Sequence, residues 1–574
     1  MLRHLKAILS ALKVSTQSVD QLAQIFAKSI TTGLINSIVT WNCIIRAYSK
    51  SPTPIKAVFI YNYFIRACSI SPDNHTFPAL LKSCTRLLSL PKGREIHAHI
   101  IKAGLESDIY IQNSLIHFYG SGAMMEEARL VFDLMPQRDL ASWNSVLSSY
   151  SASPNSWFEA LVLFKTMVVN GIGVDGITLA VVLSGCTKVG DTRCGRSIHG
   201  YLIKLGIRRN LKLENAVLGM YAKGCDMDSA IQLFHEMVDR RDVASHTILI
   251  NGYTELGLID LARCIFDQMP VKDLISWNSM IHGYVKAKRP KDALELFEKM
   301  EKEFVTPDET TIVSVLSACS SLSELQLGRL VHHRFIMQRN IRIDVFVGTA
   351  LIDMYAKCGS LEEAVKAFYK MEHKDIFTWT ALITGFASYG LGHKALRLFE
   401  QMEKEGIEPN ETTFVAALTA CSRSGLLEEG LLLFGRMVEI YKIQPKIEHF
   451  YCLIDLLSRG GLLYQAEEFI EAMATEDRVI AYKTLLSSCM IYSDISLGEK
   501  IAEQLVKLGS QNHEVYVLLA NFYALTGKWN KAVEIRSSMK EFDMRKKAGI
   551  SFIQVENIEN SQAYESKEMT NYPV

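Results

Sequence analysis

The fold is decided by residues 274–308, which read LISWNSMIHGYVKAKRPKDALELFEKMEKEFVTPD. Two series of apolar residues within it are spaced three and four positions apart: Trp277, Met280, Ile281 and Tyr284, and then Ala293, Leu296, Phe297 and Met300. That spacing places each series on one face of a helix. Pro307 and Asp308 end the stretch, and proline disfavours helix in the residue before it. The stretch is therefore predicted to form two antiparallel helices.

The same pattern returns at a fixed distance along the chain. Four pairs of identical residues lie 102 positions apart: Trp41 and Trp143, Trp277 and Trp379, Cys84 and Cys186, Cys319 and Cys421. The interval of 133 residues from Cys186 to Cys319 equals 102 plus one further unit of 31. A single helix pair cannot bury its apolar faces alone, so successive units must stack. The period therefore predicts an all-α array of repeats rather than a globular enzyme.

Composition limits the classes of function that the chain can have. Its 574 residues include 62 Lys and Arg and 62 Asp and Glu. This balance disfavours a protein that binds nucleic acid mainly through phosphates, but it allows one that reads base edges. No uninterrupted apolar run of 18 residues occurs, so no membrane span is predicted. No glycine-rich phosphate loop precedes a Lys-Ser or Lys-Thr pair, which disfavours a nucleotide hydrolase.

The cysteines favour packing over ligand chemistry. There are twelve, and none is arranged as Cys-x-x-Cys. Five share the eleventh position of a repeat: Cys84, Cys186, Cys319, Cys421 and Cys489. A small buried residue explains that recurrence better than a metal site or a disulfide does. We therefore expect a reducing compartment and no cofactor.

The start of the chain has two interpretations. Residues 1–19 contain Arg3, Lys6 and Lys13 and no acidic residue, and they contain Leu2, Leu5, Ile8 and Leu12 at helical spacing. These features fit an organelle transit peptide. Residues 21–36 also resemble the second half of later repeats, so a degenerate first repeat is the alternative.

Serine or threonine stands at the third position of most repeats. The residues are Thr40, Thr76, Ser142, Thr178, Ser245, Ser276, Thr311, Thr378 and Thr413. A hydroxyl oxygen at a helix start accepts hydrogen bonds from the exposed amides of the first turn. We therefore predict that these residues are helix N-caps.

Repeat lengths of 35, 31 and 36 in rotation, with Trp-Asn openings and Asp endings, resemble the plant pentatricopeptide repeat family, P-L-S subfamily. The stretch from residue 345, VFVGTALIDMYAKCGSLEEA, is similar to that family's S repeat. The resemblance covers residues 38–555. It implies an all-α, right-handed superhelical solenoid of stacked antiparallel helix pairs.

The resemblance also implies a division of the chain. Residues 1–37 hold the transit peptide and the degenerate first repeat, and residues 38–478 hold thirteen repeats. P repeats span 38–73, 140–175, 274–308 and 376–410; L repeats span 74–108, 176–210, 309–344 and 411–446; S repeats span 109–139, 211–242, 243–273, 345–375 and 447–478. Two degenerate pairs, 479–512 and 513–555, resemble the family's E1 and E2 motifs, and 556–574 is expected to be a flexible tail.

The fifth and last residues of each P and S repeat form a polar pair. In chain order the pairs are Asn42 and Asp73, Asn113 and Asp139, Asn144 and Asp175, Asn215 and Asp242, Thr247 and Asp273, Asn278 and Asp308, Thr349 and Asp375, Thr380 and Asn410. Such side chains can hydrogen-bond a base edge, and one repeat per base is a known solution for single-stranded RNA. The alternative is that Asn and Thr merely favour helix starts and Asp merely favours turns.

The family's code assigns a base to each pair: Asn with Asp implies U, Thr with Asp implies G, and Thr with Asn implies A. L repeats carry Pro78, Ala180, Val313 and Val415 at the fifth position and are poor readers. The last S repeat carries Tyr451 and Arg478 and is left unread. The resemblance therefore implies the target U-n-U-U-n-U-G-U-n-G-A-n-n, with G at −7 and A at −6 of an edited C.

The function that the resemblance implies is site selection for C-to-U editing of organelle transcripts. The family's editing deaminase needs His-x-Glu and Cys-x-x-Cys, and neither occurs in this chain, so we expect no catalytic or metal site and a deaminase of the DYW type supplied in trans. Multiple organellar RNA editing factor proteins are the further implied partners. The alternatives are an RNA-binding protein for transcript stability, splicing or translation, and a protein-binding scaffold. The implied compartment is the mitochondrion, with the chloroplast as the alternative.

Overall fold

The computed structural model of the chain describes residues 19–31, 37–67, 71–208, 210–338, 343–474, 477–508 and 513–541. Helices are the regular secondary structure of these residues, and no strand occurs among them. The chain divides into two compact blocks, an N-terminal block of residues 1–318 and a C-terminal block of residues 319–574. The greater part of the predicted transit peptide, the basic run 545–547 and the predicted tail 556–574 lie outside the described residues.

The helices of the first part of the chain come in pairs after an initial single helix. They are α1 (Val19–Thr31), α2 (Ile38–Lys50), α3 (Ile55–Ala67), α4 (Thr76–Arg86), α5 (Leu90–Lys102), α6 (Ile109–Ser121), α7 (Met125–Asp133), α8 (Leu140–Ala152), α9 (Trp157–Val169), α10 (Gly176–Val189), α11 (Thr192–Leu205), α12 (Leu211–Lys223), α13 (Met227–Glu236), α14 (Val243–Glu255), α15 (Ile259–Gln268), α16 (Leu274–Lys286) and α17 (Pro290–Lys302). Short 3-10 turns cover Pro154–Ser156 and Val238–Arg240.

The remaining helices continue the same order. They are α18 (Glu309–Leu322), α19 (Leu325–Val331), α20 (Val345–Lys357), α21 (Leu361–Lys370), α22 (Ile376–Ser388), α23 (Gly392–Lys404), α24 (Glu411–Ser424), α25 (Leu427–Glu439), α26 (Ile447–Arg459), α27 (Leu463–Glu471), α28 (Arg478–Tyr492), α29 (Ile495–Lys507), α30 (His513–Leu525) and α31 (Trp529–Glu541). A π-helical turn, His332–Met337, extends α19.

The first helix of each pair packs against the first helix of the next pair. In the N-terminal block α2, α4, α6, α8, α10, α12, α14 and α16 contact one another in succession. In the C-terminal block α20, α22, α24, α26, α28 and α30 do the same. The predicted all-α class and the stacking of helix pairs are therefore confirmed.

The turn between the two helices of a repeat has a constant backbone shape. The fifteenth residue of most repeats is in the left-handed region: Leu88, Ala123, Gly190, Cys225, Gly257, Lys288, Ser323, Gly359, Gly390, Gly425, Gly461, Ser493 and Gly527. Glycine adopts this region without steric cost, whereas Lys288, with φ of 56°, adopts it at some cost. The position of the turn, rather than glycine itself, is what the repeats share.

The predicted apolar faces are the core. Trp277, Met280 and Ile281 of α16 are fully buried, and the five cysteines at the eleventh position are also buried. The Trp277 ring packs edge-on against Phe266 of the preceding pair at 5.0 Å, and Trp379 packs against Phe368 at 4.7 Å. The packing interpretation of the cysteines is therefore confirmed, and aromatic contacts join adjacent repeats.

Three junctions carry an additional polar link. The Nδ1 atoms of His97, His199 and His332 share hydrogen bonds of 2.8, 2.9 and 2.7 Å with the hydroxyls of Tyr119, Tyr221 and Tyr355. Each histidine lies on the second helix of an L repeat, and each tyrosine on the first helix of the following S repeat. Burial lowers the pKa of His97 and His332, which favours the neutral ring. The recurrence of these histidines is explained by packing between repeats.

The C-terminal helix pairs continue the core of the repeats. One cluster of buried residues runs from Cys421 through Leu453 and Leu485 to Phe522 and Ala532. The described part of residues 479–555 therefore stacks on the last repeat, as a further repeat does. The division at 479 and 513 stays a prediction.

The predicted N-caps are wrong by three residues. The carboxylate of Asp375 accepts a hydrogen bond of 2.9 Å from the Thr378 N–H, and Asp375 precedes helix α22. Thr378 is the third residue of that helix, and its hydroxyl donates to Asp375 Oδ1 at 2.8 Å. Ser142, Thr178, Ser245, Ser276, Thr311 and Thr413 also lie inside the first turn, and the N–H of each donates to the side chain three residues earlier. Thr40 is the third residue of α2, which has no side-chain cap, and Thr76 is the first residue of α4. The last residue of most repeats is thus the cap of the next helix, whereas the cap position is Ser37 before α2, His75 before α4 and Asp477 before α28.

We predict that Trp277→Ala opens the array locally. Removal of a fully buried tryptophan costs about 3–5 kcal/mol, because the transfer free energy is lost and a cavity remains. Hydrogen exchange should report a fall of that size in the opening free energy of α15 and α16. The matched control is Trp529→Ala, since that ring is 65% exposed and its removal should change stability by less than about 0.5 kcal/mol. Equal effects of the two changes would contradict the assigned core.

Candidate nucleic-acid interface

Five of the eight predicted pairs are joined by a direct hydrogen bond. In each, the Nδ2 amide of asparagine donates to the carboxylate of the aspartate. The donor–acceptor distances are 2.8 Å for Asn42 and Asp73, 3.4 Å for Asn113 and Asp139, 3.4 Å for Asn144 and Asp175, 3.2 Å for Asn215 and Asp242, and 2.9 Å for Asn278 and Asp308. Residues 26 to 31 positions apart are thus brought together at the same place in five junctions.

The hydrogen bonding of the asparagine amide oxygen, Oδ1, differs among these pairs. In two of them it is occupied, because the Thr76 hydroxyl donates to Asn42 at 2.7 Å and the Thr311 hydroxyl donates to Asn278 at 2.5 Å. In the other three it is buried, and no described residue donates to it: Asn113, Asn144 and Asn215. An unsatisfied buried acceptor costs about 1–3 kcal/mol. The three asparagines themselves are half-buried, so each unused acceptor lies just below the surface, where a small side-chain movement would present it to a donor of a ligand.

The three threonine pairs are built differently. Thr349 shares a hydrogen bond of 3.0 Å with the hydroxyl of Thr378, and Thr380 shares one of 2.8 Å with Thr413. Thr247 donates to the carbonyl of Val243 in its own helix at 2.8 Å. Among the described residues, none of the three bonds to its predicted partner, Asp273, Asp375 or Asn410. These partners instead cap the following helices and accept from the N–H groups of Ser276, Thr378 and Thr413.

Four of the paired carboxylates, those of Asp73, Asp139, Asp175 and Asp308, are held in the ionised form. Burial by itself raises the pKa of Asp308, but the N–H and hydroxyl of Thr311 and the amide of Asn278 outweigh it and leave that pKa lowered. The same balance lowers the pKa of Asp73, Asp139 and Asp175. Because the folded pKa lies below the unfolded one, the stability that these groups contribute is present at neutral pH and is lost as pH falls through the lowered pKa.

A row of exposed apolar side chains lies beside the pairs and was not predicted. It occupies the second position of six repeats: Val39, Tyr110, Ile177, Ile275, Phe346 and Phe377. Ile275 is 63% exposed, and it precedes Asn278 by three residues, so the two are neighbours on the helix surface. In the sequence, Val39, Ile177, Ile275 and Phe377 stand just before the recurring Ser or Thr, outside the buried series, whereas Tyr110 and Phe346 stand before an apolar residue.

L repeats and the last S repeat lack the pair. Ala180 is buried and has no polar side chain, as is expected of a poor reader. The Tyr451 hydroxyl donates to the carbonyl of Asp477 at 3.2 Å, and Arg478 donates to the carbonyls of Met473 and Glu471. Both side chains of the last S repeat are thus bonded to the main chain.

Other kinds of site have little support in the part of the chain that the structure describes. No group of three or more His, Cys, Asp and Glu residues has the arrangement of a metal site there. Within the same residues, every helix is too short or too polar to cross a bilayer. The polar pairs are therefore the feature around which we build a function.

We predict that Asp308→Asn and Asp308→Ala separate the two roles of this residue. Asparagine caps as well as aspartate does, and Asn410 already caps α24 in this chain, so the Asn variant should keep α18 stable. Alanine should cost about 0.5–2 kcal/mol, because the Thr311 N–H loses its acceptor. Hydrogen exchange of the first turn of α18 measures the difference. Equal protection in the Ala variant and the natural chain would contradict the cap.

Comparison with known proteins gives consistent matches. A model of the PPR repeat family matches residues 272–321 and 374–423. A model of the PPR repeat matches residues 113–140, 215–241, 244–274, 349–376 and 412–440. A model of the E motif matches residues 492–554.

Relatives and solved structures agree with these models. The mitochondrial pentatricopeptide repeat-containing protein At2g22410 of Arabidopsis thaliana is 34% identical over 93% of this chain and 78% of its own length. The chloroplastic protein At1g08070 of the same plant is 34% identical over 91% of this chain and 70% of its own length. The structure of the maize protein PPR10 in complex with an 18-nt psaJ RNA element shares the fold, with a TM-score of 0.59 and 16% identity over 91% of this chain and 81% of that one. The chain belongs to the pentatricopeptide repeat family, and its repeats and E motif fit the E subgroup of the P-L-S subfamily.

Proposed function

We propose that the chain binds single-stranded RNA and reads one base with each P or S repeat that carries a polar pair. The observation that supports the proposal most is the set of buried, unsatisfied Oδ1 atoms of Asn113, Asn144 and Asn215. They occupy the fifth position of three repeats, and the amide nitrogen of the same side chain already donates a hydrogen bond to an aspartate. Helix capping explains the aspartates, but it does not explain an acceptor without a donor at the same point in three repeats.

The chemistry of this pair suits uracil. The ring N3–H of uracil is a donor, and the open asparagine oxygen is an acceptor for it. The aspartate fixes the side-chain amide in orientation, so the oxygen points to the same side in each repeat. The exposed apolar side chains at the second position add surfaces on which bases stack without sequence preference. The family code then gives the target U-n-U-U-n-U-G-U-n-G-A-n-n.

The threonine pairs select purines under the same code. Thr247 and Asp273, and Thr349 and Asp375, are assigned G; Thr380 and Asn410 are assigned A. In these repeats the cap residue uses Oδ1 for the cap and makes no hydrogen bond to the threonine among the described residues, so its other side-chain atom, a carboxylate oxygen or the Asn410 amide nitrogen, stays available to a base. A larger base also fits better beside the shorter threonine.

The role of the bound RNA is C-to-U editing in a plant organelle. The E motif supports this part of the proposal, as do relatives named mitochondrial and chloroplastic. The chain selects the site, and a DYW-type protein supplies the deaminase in trans. A groove of about 430 Å³ between α29, α30 and α31, lined by Leu505, Val515 and Tyr516 among others, is a surface for that recruitment. Multiple organellar RNA editing factor proteins are the further partners.

We predict that Thr380→Asn changes the base preferred at −6 from A to a pyrimidine. The substitution gives this repeat an amide oxygen and an amide donor in place of a hydroxyl. A wrong base costs about 1–3 kcal/mol in sequence-specific nucleic-acid readout, and we expect that scale here. Competition between RNAs that differ only at −6 measures the preference. Thr384→Asn, in the next turn of the same helix, is the control, and an unchanged preference in the Thr380 variant would refute the pairing scheme.

We also expect loss of editing in a plant that lacks this protein. RNA sequencing of its organelle transcripts should show an unedited C preceded by G at −7 and A at −6, with other sites unchanged. Editing that is intact everywhere, together with altered splicing or abundance of a transcript, would assign the protein to RNA binding without editing. Normal transcripts throughout, with no preference for the derived RNA in vitro, would favour a protein-binding scaffold.

A further inference from the structure

A second row of side chains runs along the first helices, at the thirteenth position of the repeats. Eight of the thirteen repeats carry a cation there: Lys50, Arg86, Lys188, Lys223, Lys286, Lys357, Arg423 and Arg459. The cations are exposed. On α16, Lys286 follows the exposed Ile275 by eleven residues, which is about three helical turns, so both lie on one face. The row therefore runs parallel to the polar pairs, about 12 Å further along each helix.

Glu255 is the one acidic residue in this row. It ends α14, between Lys223 of α12 and Lys286 of α16, and these three helices contact one another in succession. Its carboxylate lies 2.6 Å from the Nζ of Lys286 and 3.9 Å from the Nζ of Lys223. The Lys286 ammonium and the other cations nearby lower the pKa of Glu255, so the carboxylate is ionised at neutral pH.

Neighbouring cations in the same block are not neutralised in this way. Arg86 donates to the carbonyls of Ser49 and Ser51, and Lys188 donates to that of Ser151. Bonds to carbonyl oxygens leave the full positive charge in place. Lys50 has no ion-pair partner among the residues that the structure describes. The three residues of the row at these repeats, Lys223, Glu255 and Lys286, therefore carry a net charge of +1 together, whereas Lys50, Arg86 and Lys188 each keep +1.

We propose that the row of cations at the thirteenth position attracts RNA phosphates and that Glu255 interrupts this row. Glu255 bridges Lys223 and Lys286 and lowers the charge that these three positions present to RNA from the +2 of the two lysines to +1. This inference rests on the proposed RNA-binding function and deepens it. Contacts to phosphates carry no sequence information, so where they are missing the base contacts decide binding. At repeat 243–273 those contacts come from Thr247 and Asp273, the pair assigned to G.

The test is the salt dependence of RNA binding by Glu255→Gln. The neutral side chain raises the charge of these three positions by one, and each phosphate neutralised on a single strand steepens the log–log salt slope by about 0.7. We expect a slope steeper by about 0.7, which is an additional loss of affinity of about 2.6-fold between 50 and 200 mM salt. The ratio of affinities for the derived RNA and for an RNA with the G replaced should stay unchanged.

The matched control is Glu298→Gln on α17. Glu298 pairs with Lys302 of the same helix at 3.8 Å, both side chains are exposed, and neither lies in the row. Glu298→Gln removes one negative charge, as Glu255→Gln does. A salt slope that steepens equally in both variants would overturn the inference, because it would show that the total charge and not the position of the charge sets the slope. An unchanged slope in Glu255→Gln, with the natural chain still preferring the derived RNA, would also overturn it and leave the proposed function intact. A natural chain without that preference would refute the proposed function itself.

Discussion

The structure depends on one hydrogen-bonded side chain at most junctions, the aspartate or asparagine that ends the repeat. Asp375 satisfies the N–H of Thr378 at the start of α22, and in return accepts the hydroxyl of the same threonine. A helix whose first-turn amides stay unsatisfied loses about 1 kcal/mol. Repetition of this cap fixes where each first helix begins, and so fixes the position of its fifth residue relative to the repeat before it.

The double role of the cap restricts which residues can end a repeat. Aspartate and asparagine both cap well, and both offer polar atoms to a ligand. Other base-reading residues, such as arginine, cannot accept from the first-turn amides. Arg478 illustrates the limit, since its side chain turns back to the carbonyls of Met473 and Glu471 and α28 has no side-chain cap. Variation between repeats is therefore greater at the fifth position than at the last.

Periodicity predicted the helices, the buried tryptophans and the stacking, because the core of a repeat array is set by local spacing and by the neighbouring repeat. The caps were assigned wrongly because Asp and Thr, three residues apart, are both good N-caps, and a pattern alone does not say which one lies outside the helix. The exposed Phe346 and Phe377 were missed because apolar residues next to a buried series look like part of it. The bridge from Glu255 to Lys223 and Lys286 joins three repeats, and only the stacked structure brings these residues together.

A net charge of zero is compatible with RNA binding once the charges are assigned to positions. Basic residues recur at the thirteenth position of the first helices, whereas acids such as Glu298 and Glu301 lie on second helices. Within the C-terminal block, Lys357 and Arg459 are each paired with an aspartate one turn earlier, Asp353 and Asp455, which reduces their attraction for phosphate. The net charge of the composition sums all acidic and basic residues to zero, whereas a bound RNA strand contacts only one face of the repeats. For a repeat array, the charge at each register position is the informative quantity, because every repeat presents the same position to the same part of the ligand.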